Sequence, residues 1–322
     1  MSAKLRVPRR TVLTLVSNTG RGNVPFTPLI STSSSVAVPS IATPRASLNP
    51  IAESPNPSPL TLIRNISHAA TMSTMPAAHG HNEACCNIPP IEASGYTAKG
   101  CYEQIGGMKT YTTGPPQASR GIISVFDIFG YTDQTLQGAD ILASKHKVFM
   151  PDWFHGNPCP TEWFPPDTEE KQKLVGEFFG KNMPTGVSDG LPDYVKAVQA
   201  AYPAITSWAI IGFCWGGKAV ELVTSGPSNI FSIAAVAHPA MVDSAMADKI
   251  SVPYILLASQ EEPEDTIKDF ESKLKVPHHV EVFGDQVHGW MAARANLADP
   301  RVRQEYARGY QTVLRFFDQE WK

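Results

Sequence analysis

From about residue 95 the chain alternates short apolar runs with stretches whose apolar positions recur every three or four residues. The runs Gly121 to Phe126, Trp208 to Phe213, Ser232 to His238, Tyr254 to Ala258 and His279 to Phe283 read as strands. Lys147 to Met150 is a shorter one, closed by Pro151. A helix is expected from about Thr132, where Leu136, Ala139, Leu142 and Ala143 fall on one face. Further helical stretches are expected over Glu169–Phe179 and Pro192–Ala201. A C-terminal helix sets Val302, Tyr306, Tyr310, Val313, Leu314 and Phe317 on an apolar face, with Arg303, Glu305, Arg308 and Arg315 outside. Strands that are apolar throughout have no solvent face. Alternating with helices, they imply a mostly parallel sheet covered on both sides.

The first 80 residues break this pattern. They are rich in Ser, Thr and Pro, with runs such as Ser33-Ser34-Ser35, and lack sustained periodicity. Such a segment cannot bury enough apolar surface to offset its chain entropy, so residues 1–80 are expected to be a disordered extension and 81–322 the folded domain. Charge divides at the same place. Seven basic residues and one acidic residue, Glu53, precede position 81, and 20 basic and 29 acidic residues follow. Arg6, Arg9 and Arg10, spaced among Leu5, Val7, Val12, Leu13 and Leu15, resemble a mitochondrial presequence. The alternatives are a tail without an address, or a start codon placed upstream of Met72 or Met75. The protein is therefore expected in mitochondria or the cytoplasm. The acidic body argues against nucleic acid as a partner, and no apolar run reaches the roughly 18 residues of a membrane span. Five irregularly spaced cysteines (Cys85, Cys86, Cys101, Cys159 and Cys214) form neither a disulfide framework nor a paired zinc pattern. The chain carries no Gly-rich phosphate loop, and no cofactor or metal is expected.

The most informative stretch is Ile210-Ile-Gly-Phe-Cys-Trp-Gly-Gly217. A strand ends in Gly-x-Cys-x-Gly and a helix-compatible segment, Lys218 to Val223, follows. This is the nucleophile-elbow pattern with cysteine in place of serine. A nucleophile at the tip of such a turn sits in a strained conformation, and Gly212 and Gly216 flank it because side chains there would collide. The helix that begins beneath it favours a thiolate and an oxyanion. The other reading of Cys214 is a buried structural cysteine in a Gly-rich turn.

A cysteine nucleophile needs a base, and the base an orienting acid, in the chain order nucleophile, acid, base. His288 fits the base, since it follows the strand His279–Phe283 in the turn-prone loop Gly284 to Trp290. His238, at the end of a strand and before Pro239, is its rival. The acid belongs after Tyr254–Ala258, where Glu261, Glu262, Glu264 and Asp265 are available.

With these residues in place, the chain resembles the dienelactone hydrolase family of α/β-hydrolases, in its fungal-type form. The resemblance runs over roughly 82–322. It rests on Gly212-Phe-Cys-Trp-Gly-Gly217, Asp127-Ile-Phe-Gly130, Pro151-Asp152, His288-Gly-Trp290 and the Cys85-to-Pro90 segment. It implies an α/β-hydrolase fold and a Cys214–His288–acid triad. The family's aspartate aligns best with Glu262, a departure to glutamate, with Glu261 or Asp265 as the other choices. It also implies that Asp127, where members carry glutamate, hydrogen-bonds the resting cysteine; a turn cap before Phe129-Gly130 is the alternative. Backbone N–H groups of Ile128 and Trp215 then form the oxyanion hole. The arginines that bind a substrate carboxylate in bacterial members find no match.

The expectation is a single-domain cysteine hydrolase of small-molecule esters or lactones, monomeric or homodimeric. Its rivals are a non-catalytic relative that binds a small ligand or senses redox state through Cys214, and a thioesterase or peptidase.

Overall fold

In a computed structural model the described residues are 95–322 together with Met75, Pro76, His81, Asn87 and Pro90. The presequence-like segment and Cys85-Cys86 lie outside them. Eight strands form one sheet: β1 (Cys101–Ile105), β2 (Met108–Thr113), β3 (Arg120–Val125), β4 (Lys147–Pro151), β5 (Ser207–Phe213), β6 (Ile233–Ala237), β7 (Tyr254–Ser259) and β8 (His278–Phe283). Their spatial order is β1-β2-β4-β3-β5-β6-β7-β8. β2 runs antiparallel to both β1 and β4, and every other pairing is parallel. Among the described residues these α-helices connect or flank the strands: α1 (Asp133–Leu142), α2 (Glu169–Lys181), α3 (Pro184–Ala201), α4 (Trp215–Ser225), α5 (Ser244–Ala247), α6 (Glu264–Lys273) and α7 (Pro300–Glu320). This mostly parallel sheet with its helices is the α/β-hydrolase fold.

The central strands β4 to β7 are almost wholly buried, as continuous apolar runs require. Each fully buried Val, Leu or Ile contributes roughly 1.5–3 kcal/mol from area alone. The edges differ. β1 is largely exposed, and β2 buries Thr110, Thr112 and Thr113 beside Tyr111, so neither strand shows an apolar run. That is why the hairpin is missing from the hydrophobic pattern.

The helix boundaries follow the pattern only in part. α1 starts where expected, with the Thr132 hydroxyl accepting from Thr135 N–H. α3 begins eight residues before Pro192, with Pro184 in its first turn and Pro192 inside. A helix tolerates proline at its start, and the interior one is carried by the burial of Leu191, Tyr194, Val195 and Val198 around it. No helix follows the His288 loop until Pro300, whose cap is the Asp299 carboxylate. Toward the N-terminus, Met75 lies in the hydrophobic core and exchanges hydrogen bonds of 2.7 and 2.9 Å with Asn87. His81 stacks on Phe179 with centroids 4.0 Å apart. Among the described residues no helix is long and apolar enough to cross a membrane.

Candidate active site

β5 delivers Cys214 to the C-terminal edge of the sheet, and α4 starts at the next residue. Cys214 has φ 52° and ψ −114°, a region that costs an ordinary residue about 1–3 kcal/mol. The turn closes only because its flanks are bare. A Cβ on Gly212 would lie 2.2 Å from the Gly216 carbonyl oxygen, and one on Gly216 would lie 2.3 Å from that of Val125. Both obstacles are backbone and cannot rotate away. Gly216→Ala is therefore expected to cost roughly 1–3 kcal/mol by overpacking, read as a melting temperature lower by several degrees. An unchanged melting temperature would contradict this account of the turn.

The loops after β7 and β8 meet beside the elbow. Gln260 N–H donates to the Gln286 carbonyl at 3.0 Å and ties the two together. Glu262 is buried and places Oε1 2.5 Å from His288 Nδ1, while its Oε2 accepts the Ser259 N–H in a very short bond. The neighbouring Glu261 accepts the backbone N–H of His288 at 2.5 Å. Adjacent carboxylates thus hold the imidazole and the main chain of one residue. Glu264 and Asp265 stand exposed in the first turn of α6, away from the ring. His238 lies beside His288 with centroids 5.3 Å apart, and no carboxylate reaches it.

His288 and Cys214 are both fully buried. Burial alone would disfavour an imidazolium. The charges of Cys214 and Glu262, each accepting a hydrogen bond from the ring, outweigh it and raise the His288 pKa to about 10. Nδ1 is occupied by Glu262, which leaves Nε2 for the cysteine; no nitrogen or oxygen caps Nε2. Phe283 stacks on Trp290 at 4.2 Å, and Tyr310 donates to the Met291 carbonyl at 2.8 Å, so α7 and β8 hold the histidine loop from behind.

Asp127 follows β3 and is also fully buried. It caps its own turn through Phe129 N–H at 2.9 Å and reaches across to Ala293 N–H at 3.1 Å. Burial first, then the nearby Cys214 charge, raise its pKa to about 6 against the opposing pull of Arg294 and the two N–H groups. The turn-cap and active-site readings of Asp127 are therefore compatible. Among the described residues no acceptor takes the N–H of Ile128. Trp215, as the first residue of α4, has no intrahelical acceptor for its own. An arginine does border the site. Arg294 is 2% exposed and sits over the rings of Phe129 and Phe164 at 5.2 and 6.0 Å. Cys159 is near enough to Arg294 and Asp127 to feel both charges, and burial pushes its thiol up. No group of three His, Cys, Asp or Glu side chains among the described residues could hold a metal ion.

The dienelactone hydrolase family profile matches residues 108–321, which span the sheet from β2 and include Cys214, Glu262 and His288. The chain belongs to the dienelactone hydrolase family. An uncharacterized AIM2 family protein of Schizosaccharomyces pombe is 39% identical over 230 residues, covering 69% of this chain and 92% of the relative. The human carboxymethylenebutenolidase homolog is 22% identical over 215 residues, covering 64% of this chain and 84% of that one. A crystal structure of dienelactone hydrolase from Anabaena variabilis superposes with a TM-score of 0.50 at 10% identity, over 70% of this chain and 98% of its own. At that identity the superposition speaks for the fold. Membership of the dienelactone hydrolase family makes the protein a hydrolase.

Sequence reading brought Cys214, His288, Glu262, Asp127, Ile128 and Trp215 forward, and all six converge here. It did not anticipate Arg294 or the grip of Glu261 on His288. A buried arginine after an alanine pair carries no sequence signal, because its burial depends on Phe129 and Phe164, more than a hundred residues away.

Proposed function

We propose that this hydrolase cleaves ester or lactone bonds of small molecules through Cys214, His288 and Glu262, by way of a thioester acyl-enzyme. The observation that carries the reading is the Glu262–His288 contact of 2.5 Å on an imidazole whose other partner is the elbow cysteine. A ligand-binding or redox-sensing relative has no use for a base so oriented. Glu262 fixes the tautomer and stabilises the imidazolium formed when His288 takes the Cys214 proton. The sulfur attacks the carbonyl carbon, and the N–H groups of Ile128 and Trp215 take the oxyanion. His288 returns the proton to the leaving oxygen. Water then cleaves the thioester.

Asp127 opposes the charge separation. Its anion beside Cys214 favours the protonated thiol, whereas His288 and Glu262 favour the thiolate. A thiolate forms a thioester readily only from an activated acyl group, so enol-lactones and activated esters suit this site better than amides. Kinship to carboxymethylenebutenolidase homologs supports a lactone.

Hydrolysis of p-nitrophenyl acetate with and without iodoacetamide tests the reading. Activity should fall in proportion to alkylation of Cys214, measured by peptide mapping. Full alkylation of Cys214 with undiminished turnover would refute it.

A further inference from the structure

His238 directly follows β6 and is pinned to the nucleophile's own backbone on both sides. Cys214 N–H donates to the Ala237 carbonyl at 3.2 Å, and Ala240 N–H donates to the Cys214 carbonyl at 3.0 Å. His238 N–H itself donates to Leu257 at 2.7 Å, which holds the residue in a left-handed conformation with φ 38°. Such a conformation is uncommon outside glycine and gathers at functional sites.

The side chain is fully buried, with its ring 5.3 Å from that of His288 at 68° and 5.9 Å from Phe213. Beyond a weak approach to its own backbone, neither ring nitrogen has a hydrogen-bond partner among the described residues. An unmade bond of this kind is costly, and native interiors rarely keep one without a reason. Phenylalanine would preserve both ring contacts without that cost. The nitrogens therefore serve something the chain does not itself supply. Burial, then the His288 and Arg294 charges, hold the imidazole neutral, with a pKa well below its usual value. A neutral imidazole offers one donor and one acceptor, the complement of a water molecule. Buried water commonly settles on otherwise unsatisfied polar groups and makes about three hydrogen bonds. His288 Nε2, which pairs with Cys214 in the resting enzyme, is released once the sulfur is acylated, and no oxygen or nitrogen of the chain then meets it. A water between the two rings would bond each nitrogen at about 2.9 Å.

We propose that His238 is a further catalytic residue of this site, holding the water that hydrolyses the acyl group from Cys214. The assignment rests on the thioester reading above. In the step, the water oxygen bonds to the thioester carbonyl carbon as His288 takes one of its protons. The tetrahedral intermediate collapses with rupture of the C–S bond. The product leaves as a carboxylic acid, and the thiolate remains paired with the His288 imidazolium.

Stopped-flow hydrolysis of p-nitrophenyl acetate by the full chain separates the two half-reactions. The first turnover of p-nitrophenolate reports acylation, and acid-quenched intact mass reports the acetyl-enzyme. His238→Phe should leave the first-turnover rate nearly unchanged, lower steady turnover on the order of 10²-fold, and accumulate acetyl-Cys214. His238→Gln, which can still bond a water, should recover much of the loss. His238→Leu makes the same comparison if the phenylalanine variant misfolds. Acylation and deacylation slowed equally would make His238 a packing residue and overturn the proposal, as would full turnover without adduct in the variant. If neither wild type nor variant shows any adduct on Cys214, the thioester mechanism itself fails, and this role falls with it.

Discussion

Cys214→Ala will lower hydrolysis of p-nitrophenyl acetate by roughly 10³-fold or more while the protein stays folded. The loss is large because the sulfur is the atom that forms the covalent bond. What remains is the acceleration that an oxyanion site and substrate binding give without a nucleophile. The structural cost is small. Cys214 is fully buried, but removing one sulfur atom leaves a void worth on the order of 1 kcal/mol. Thermal denaturation followed by circular dichroism checks the fold, and initial rates check the chemistry. Turnover near the wild-type rate in a folded variant would remove the cysteine from the mechanism.

Glu262→Gln should lower kcat by roughly 10²–10⁴-fold and change KM little. The carboxylate accepts from two donors, His288 Nδ1–H and Ser259 N–H. An amide has one oxygen for the two, so its NH2 must face a donor, and the imidazole loses its tautomer or its position. The pH profile adds a signed readout. The Glu262 anion is one of the charges that raise His288 to about 10. Without it the imidazolium gives up its proton at lower pH, so the alkaline limit of activity moves down. An alkaline limit that stays in place would deny the contact its electrostatic role. Glu261→Gln should be mild, because its carbonyl oxygen can still accept the His288 N–H. Glu264→Gln and Asp265→Asn should be silent, since both side chains are exposed on α6.

How far the sequence discloses this molecule depends on how local each feature is. The buried parallel strands are legible because burial on both faces leaves an apolar run whatever surrounds it. The elbow is legible because two glycines and a cysteine at fixed spacing are demanded by backbone clearances of barely more than 2 Å. Chain order then points to His288 and to the loop that carries Glu262. The β1–β2 hairpin is not legible, since its buried positions are threonines and its outer strand is exposed. Helix α3 is obscured by Pro192, which local propensity reads as a start and tertiary packing absorbs. Choosing among four acidic residues on one loop needs the fold, because Glu261 and Glu262 differ only in which part of His288 each one meets. Arg294 and the empty-handed nitrogens of His238 are likewise properties of three-dimensional neighbours.

The account stands most directly on the covalent intermediate. Enzyme mixed with an activated ester or enol-lactone, quenched in acid during turnover and digested, should carry one acyl group on the peptide containing Cys214. The Cys214→Ala variant should carry none. Turnover with the acyl group on another residue, or without any acyl-enzyme at saturating substrate, would contradict the mechanism.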